Sequence, residues 1–137
     1  MHLVAPRGGR WTVLALGLFA VGACVVSAHH SQSAYEPTRT VTIEGTLERI
    51  SWANPHSLFF LNARLADKPS DALQRWSVEG PNPRSLEMAG WARTDAKIGE
   101  KMSMTGRPRR DGKPDMLVVA VTTAAGRHIN FRNDGTN

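Results

Sequence analysis

This chain of 137 residues has one cysteine, one tyrosine and only nine aromatic residues in all. With a single cysteine, Cys24, no intrachain disulfide can form, so the fold must be held by packing alone. No Gly-x-Ser-x-Gly segment is present, which removes the strand-to-helix elbow that presents a serine nucleophile. Gly106–Pro114 ("GRPRRDGKP") superficially follows a phosphate-binding loop, but its spacing is one residue too long. Pro114 also stands where Ser or Thr is required, so the segment reads as a hairpin connection. Glu44, Glu48 and Glu79 fall on positions expected to be solvent-facing rather than paired for acid–base work. The common catalytic routes are poorly supplied, and an enzyme is not expected.

Long apolar runs are also missing, with one exception. Residues 11–26 ("WTVLALGLFAVGACVV") are apolar and uncharged, behind a short start that carries Arg7 and Arg10. Val26-Ser27-Ala28 then places small residues where signal peptidase cuts, so residues 1–28 read as a signal peptide and His29 as the mature N-terminus. Two rivals share the segment. Val21-Gly22-Ala23-Cys24 resembles a lipobox, which would anchor a lipoprotein at Cys24, and residues 11–28 are long enough to remain as an uncut membrane anchor. All three imply export, to the periplasm or beyond, and membrane attachment belongs only to the two rivals. Cleavage after Ala28 leaves 109 residues, enough for one domain, and lowers the formal net charge from +5 to +3 by removing Arg7 and Arg10. So small an excess does not point to a polyanion, and export makes nucleic acid an unexpected partner.

What remains reads as β-structure. Residues 29–40 are polar and aperiodic, an extended arm. Val41, Ile43 and Leu47 alternate with polar neighbours, and then Ile50 and Trp52 fall on the opposite parity, which predicts a β-bulge near Glu48 or Arg49 in a long, bent first strand. Asn54-Pro55 makes a turn into a second strand at 57–65, and a third follows at 74–79 with Trp76 and Val78 inward. Ser85–Ala89 is a short helix stopped by Gly90. Residues 98–106 alternate through Met102 and Met104, Asp111-Gly112 marks a hairpin, and 116–123 is apolar on both faces, as a central strand is. In that last strand Val119 is expected to face the interior. Residues 127–131 add a short final strand, and 132–137 form a disordered tail. Three strands, a helix and two or three more strands predict a mainly β fold: a small OB-fold-like barrel of five to six strands over 41–131, with one short helix between strands three and four. The alternative, a fragment of a larger β-sandwich, fits the helix and the short chain less well.

These motifs resemble a family of small secreted bacterial proteins that form a domain of unknown function. The resemblance rests on His29-His30-Ser31, on Gly45-Thr46-Leu47 leading to Trp52-Ala53-Asn54-Pro55-His56, and on Pro81-Asn82, Leu86 and Gly90-Trp91. Gln32 stands where such relatives more often carry an aromatic, and the first aromatic after the histidines is Tyr35. The resemblance implies export and a small β-barrel, and it brings no established activity.

Two groups of residues could bind a ligand. With His2 lost, His29, His30, His56 and His128 remain. A mature His29 offers its α-amine and its ring to one metal, and a further imidazole from His56, at a turn an arm could reach, would complete a three-nitrogen set suited to Cu(II). Copper or another transition metal is the implied cofactor, and an envelope protein that donates or accepts the metal the implied partner. The alternative uses Arg107, Arg109, Arg110 and Lys113, in the loop where OB-folds often contact oligonucleotides or sugars, together with Trp52, Phe59, Phe60 and Trp76, for an anionic or glycan partner. Intact mass of envelope-purified protein tests the foundation of both: a chain beginning at His29 is expected, and a lipid-modified chain beginning at Cys24 would replace the signal-peptide reading.

Overall fold

The computed structural model describes residues 32–131. The leader with Cys24, His29, His30 and the tail from residue 132 lie outside the described residues.

Six strands form in the order β1 (Val41–Ser51), β2 (Ser57–Leu65), β3 (Gln74–Gly80), β4 (Lys101–Pro108), β5 (Asp115–Thr122) and β6 (His128–Asn130), with helix α1 (Pro83–Met88) between β3 and β4. The sheet runs β3-β2-β1-β4-β5-β6, and β3 also pairs with β5, so the first five strands close into a barrel and β6 extends one side. The closing pair is parallel and every other pair antiparallel. This is the expected OB-fold order, with the helix where an OB-fold carries one.

The register of β1 with β2 skips one residue between Leu47 and Arg49. The bulge bends β1 so that its first half pairs with both β2 and β4, and the change of parity read in the sequence is its signature. Leu47 points into the core, Glu48 and Arg49 both lie exposed, and Ile50 and Trp52 pack half-buried against the core. Gly45 occupies the point of closest approach, because a Cβ there would strike the Asn62 carbonyl and Ala63 of β2. Helix α1 starts two residues before its predicted place. Pro83 enters its first turn, where the missing N–H costs nothing, and the Ser85 amide donates to Asn82 Oδ1 at 3.0 Å. Gly90 ends the segment with a φ of 90°.

Ile43, Leu47, Phe59, Leu61, Trp76, Val78, Met104, Met116 and Val118 fill the barrel, and Leu86 of α1 plugs one end beside Trp91, which packs on Phe59 with ring centroids 4.9 Å apart. One inward assignment is corrected. Val119 is half-buried, and Val118 is the fully buried residue. The register of β4 with β5 passes from Thr105–Ala120 to Gly106–Val118, so Val119 has no partner across β4 and the alternation slips beside it. β4 also begins at Lys101, later than its alternation suggested, because 98–100 form a turn in which Gly99 takes a φ of 90°.

Two substitutions probe this packing in urea titrations. Trp76→Ala removes a side chain that is 5% exposed and should cost about 3–5 kcal/mol, as truncation of a core aromatic does. Gly45→Ala should cost about 1–3 kcal/mol, because the added methyl presses on backbone that cannot swing away.

Candidate functional site

The described part of the arm folds back onto the barrel. The Glu36 amide donates to the Pro108 carbonyl at 2.9 Å and the Arg110 amide donates to the Ala34 carbonyl at 2.9 Å, so Tyr35 and Arg109 form a one-pair antiparallel bridge. Arg110 Nε adds a third bond, to the Tyr35 carbonyl at 3.1 Å. The short run between the histidines and β1 thus makes a seat on the β4–β5 connection, and Tyr35, the sole tyrosine, is 4% exposed in it.

The phenol ends over the place where the barrel closes. Its hydroxyl lies 3.3 Å from Glu79 Oε2 on β3 and 3.3 Å from Asp115 Oδ1 on β5. On the far side of Glu79, His56 presents Nδ1 to Oε1 at 3.4 Å. His56 follows the cis peptide between Asn54 and Pro55, in the β1–β2 turn, and its side chain is 37% exposed against 13% for Glu79. The expectation that Glu79 faces solvent is therefore corrected: it alternates outward as predicted, but Tyr35 and His56 cover it.

On the other flank, Arg109 reaches Asp115 Oδ2 at 3.4 Å and grips Asp111 through Nε and Nη2, each at 3.1 Å. Lys113 Nζ lies 3.4 Å from the same Asp111 carboxylate. The Arg109 contact is the main reason that the Asp111 carboxyl is held down at about 2. Burial acts the opposite way on Asp115, raising its carboxyl above the ordinary value against the pull of Tyr35 and Arg109. Burial, followed by the two neighbouring carboxylates, likewise pushes the Tyr35 phenol up. His56, Glu79, Tyr35, Asp115, Arg109 and Asp111 thus form one continuous polar chain across the outside of the closure.

The histidines are not all gathered here. His128 sits on β6, where its Nδ1 lies 3.0 Å from the Thr122 hydroxyl. Thr122 is five residues beyond Leu117, the residue paired with Glu79, and a strand rise of 3.3 Å per residue makes that about 16 Å along β5. His56 and His128 therefore belong to different places on the barrel. Among the described residues, no three His, Cys, Asp or Glu side chains gather into a set that could hold a metal ion.

The basic loop and the aromatics also part. Arg109, Arg110 and Lys113 are engaged as above, and Arg107 is half-buried within β4. Phe59 and Trp76 are core residues, and Trp52 packs edge-on against Phe59 at 5.8 Å. Phe60 alone stays on the outer face, with the Arg49 guanidinium 4.0 Å from its ring centre.

Tyr35, Glu79, Asp111 and Asp115 are the residues that sequence reasoning missed as site members. A lone tyrosine in an aperiodic polar arm was a signal of docking, because such a segment has no other large apolar group to bury.

No curated protein matches the chain. Residues 18–118, from within the apolar leader to the middle of β5, match the model of a family of unknown function (DUF6152), and the chain belongs to that family.

Proposed function

We propose that the protein is an exported binding or accessory module, not an enzyme, that takes Cu(II) between its N-terminal histidines and His56. The observation that carries this reading is the contact of His56 Nδ1 with a carboxylate that the arm also holds. A metal-binding imidazole usually turns its second nitrogen to a carboxylate or carbonyl, which fixes the ring and makes the ligating nitrogen more basic. Glu79 stands in that place for His56, and Nε2 is the nitrogen outside the contact. The arm supplies the rest. Tyr35 docks on the same Glu79, and six residues of chain, the separation from Tyr35 back to His29, reach at most about 21 Å. Cleavage after Ala28 would give His29 a free α-amine, which with its own ring and His56 makes three nitrogens, a donor set suited to Cu(II). His30 offers an alternative imidazole from the same segment, and His128 lies too far along β5 to share His56. An envelope protein that hands over or accepts copper is the partner such a module needs.

The anion or glycan reading draws less support. Asp111, Asp115 and the Tyr35 carbonyl engage the cations at 109, 110 and 113, and two of the four aromatics are core.

Copper titration with electron paramagnetic resonance separates the outcomes. Protein starting at His29 should bind Cu(II) more tightly than a Met-extended form that keeps every imidazole, and more tightly than it binds Zn(II). Glu79→Gln should weaken binding by roughly 10- to 100-fold, the usual effect of losing the group behind a ligand. Identical affinities and spectra for the native and Met-extended forms would overturn the N-terminal site. An unchanged His56→Ala form would remove His56 from it.

A further inference from the structure

We infer that the outer face of β1, β2 and β3 around Phe60 docks an acidic, extended segment of a partner protein. Of the aromatic side chains in the described strands, Phe60 alone turns outward, while Phe59 and Trp76 are core. Pairing across the sheet puts Arg49 on one side of it and Ser77 on the other. The Arg49 guanidinium lies 4.0 Å from the ring centre, and that of Arg75 reaches the same ring from β3 at 5.6 Å. The next outward row is Ser51, Leu58 and Glu79. Leu58 and Phe60 thus make the apolar centre of the face, which runs up to the carboxylate that His56 touches.

Folding gives little reason for this arrangement. Exposed ion pairs add little to stability, and Arg49 lacks even that: among the described residues its one partner is the ring. Arg75 has Glu48, at 3.6 Å, with the two side chains 64% and 41% exposed. Two guanidiniums share one carboxylate, so the face carries an unmatched positive charge. The neighbouring acids are turned elsewhere. Glu44 stands opposite Arg64 in the register, and Glu79 is taken by His56 and Tyr35.

The chemistry of that charge selects the occupant. A guanidinium resting on a ring is weakly hydrated and already ordered, so burying it costs less than burying a free lysine. Its N–H fork takes a carboxylate through two parallel hydrogen bonds. An apolar centre beside arginines is also the composition of an interface core. A second copy of this chain would set two positive faces together, which disfavours self-pairing. An extended segment with carboxylates four residues apart, about 13 Å, and an apolar side chain midway between them meets the whole face. The carboxylates reach Arg49 and Arg75, and the apolar group packs on Leu58 and Phe60. The face stands without copper. That its occupant is the protein which hands over or accepts copper rests on the copper reading, and the pairing of Leu58 with Glu79 joins the two.

The test is a titration of metal-free protein, followed by nuclear magnetic resonance, with a capped peptide of aspartate, serine, leucine, serine and aspartate. The Arg49 Nε–H signal, the Phe60 ring and the Leu58 methyls should shift together and saturate. Binding should weaken several-fold between about 0.05 and 0.5 M salt. Arg49→Ala should weaken it roughly fivefold or more, as loss of a charge partner at an interface does. Arg49→Lys keeps the charge without the fork and should recover only part of the affinity. Lys68→Ala removes a charge from the loop that leaves the far end of β2, and screening should hold its effect below about twofold. Arg49 and Lys68 are both exposed, so these variants leave the core intact. Four outcomes overturn the proposal: no saturating shift at Arg49, or shifts centred on 109–113; equal binding of a peptide with lysine in place of aspartate; tighter binding of a single-stranded oligonucleotide at the same residues; or self-association that Arg49→Ala abolishes. Because no metal is added, each of these leaves the copper titration standing, and failure of copper binding leaves the face standing.

Discussion

The barrel depends on a short closure. β3 and β5 meet over only three residue pairs, Ser77–Asp115, Val78–Met116 and Glu79–Leu117, and this is the parallel contact that turns a curled sheet into a ring. A parallel ladder is slightly weaker per residue than an antiparallel one, and the chain has no disulfide to reinforce it. Two layers cover the closure instead. Inside, Val78, Met116 and Val118 pack in the core. Outside, Tyr35 spans from Glu79 on one strand to Asp115 on the other, so the arm lies across the line where the ring is joined.

Closure also requires the opposite wall to bend. β1 does so at its bulge, and the same skipped residue that re-aims the strand leaves Glu48 and Arg49 both outside. Arg49 then lies over Phe60, and Arg75 reaches Glu48 at 3.6 Å, with exposed side chains on both partners. Such surface pairs contribute little to stability, so the bulge is kept by what it does for the core: Leu47 and Ile50 both pack on the core side of a strand whose simple alternation would put one of them outside.

How legible each part was depends on how local its cause is. The bulge in β1, the bounds of β2 and the inward Trp76 and Val78 were readable because side-chain alternation is a property of neighbouring residues. Val119 was misassigned because β5 is apolar on both faces, and alternation carries no phase where every residue is apolar. The slip is set by its pairing with β4, through Thr105 and Gly106, which lie more than ten residues earlier. The site was legible only in pieces. His56 stood out by type and place, but Glu79 looked like an ordinary outward carboxylate. Nothing near it in sequence says that a tyrosine forty-four residues away covers it. Arg109 and Lys113 invite an anion-binding reading because Asp111 reads as a turn residue, and nothing local in the sequence pairs it with both cations or pairs Asp115 with Arg109.

The covered closure also explains why a polar chain can sit on so small a barrel without disrupting it. Isolated buried carboxylates are costly, and each one here has a compensating neighbour: Glu79 has His56 and Tyr35, and Asp115 has Tyr35 and Arg109. The chain of contacts grades from a well-paired exposed end at Asp111, through a half-buried middle at Asp115, to an imidazole at the other end that is open to solvent. The two ends meet where the barrel closes, and the group that joins them is the tyrosine that holds the arm.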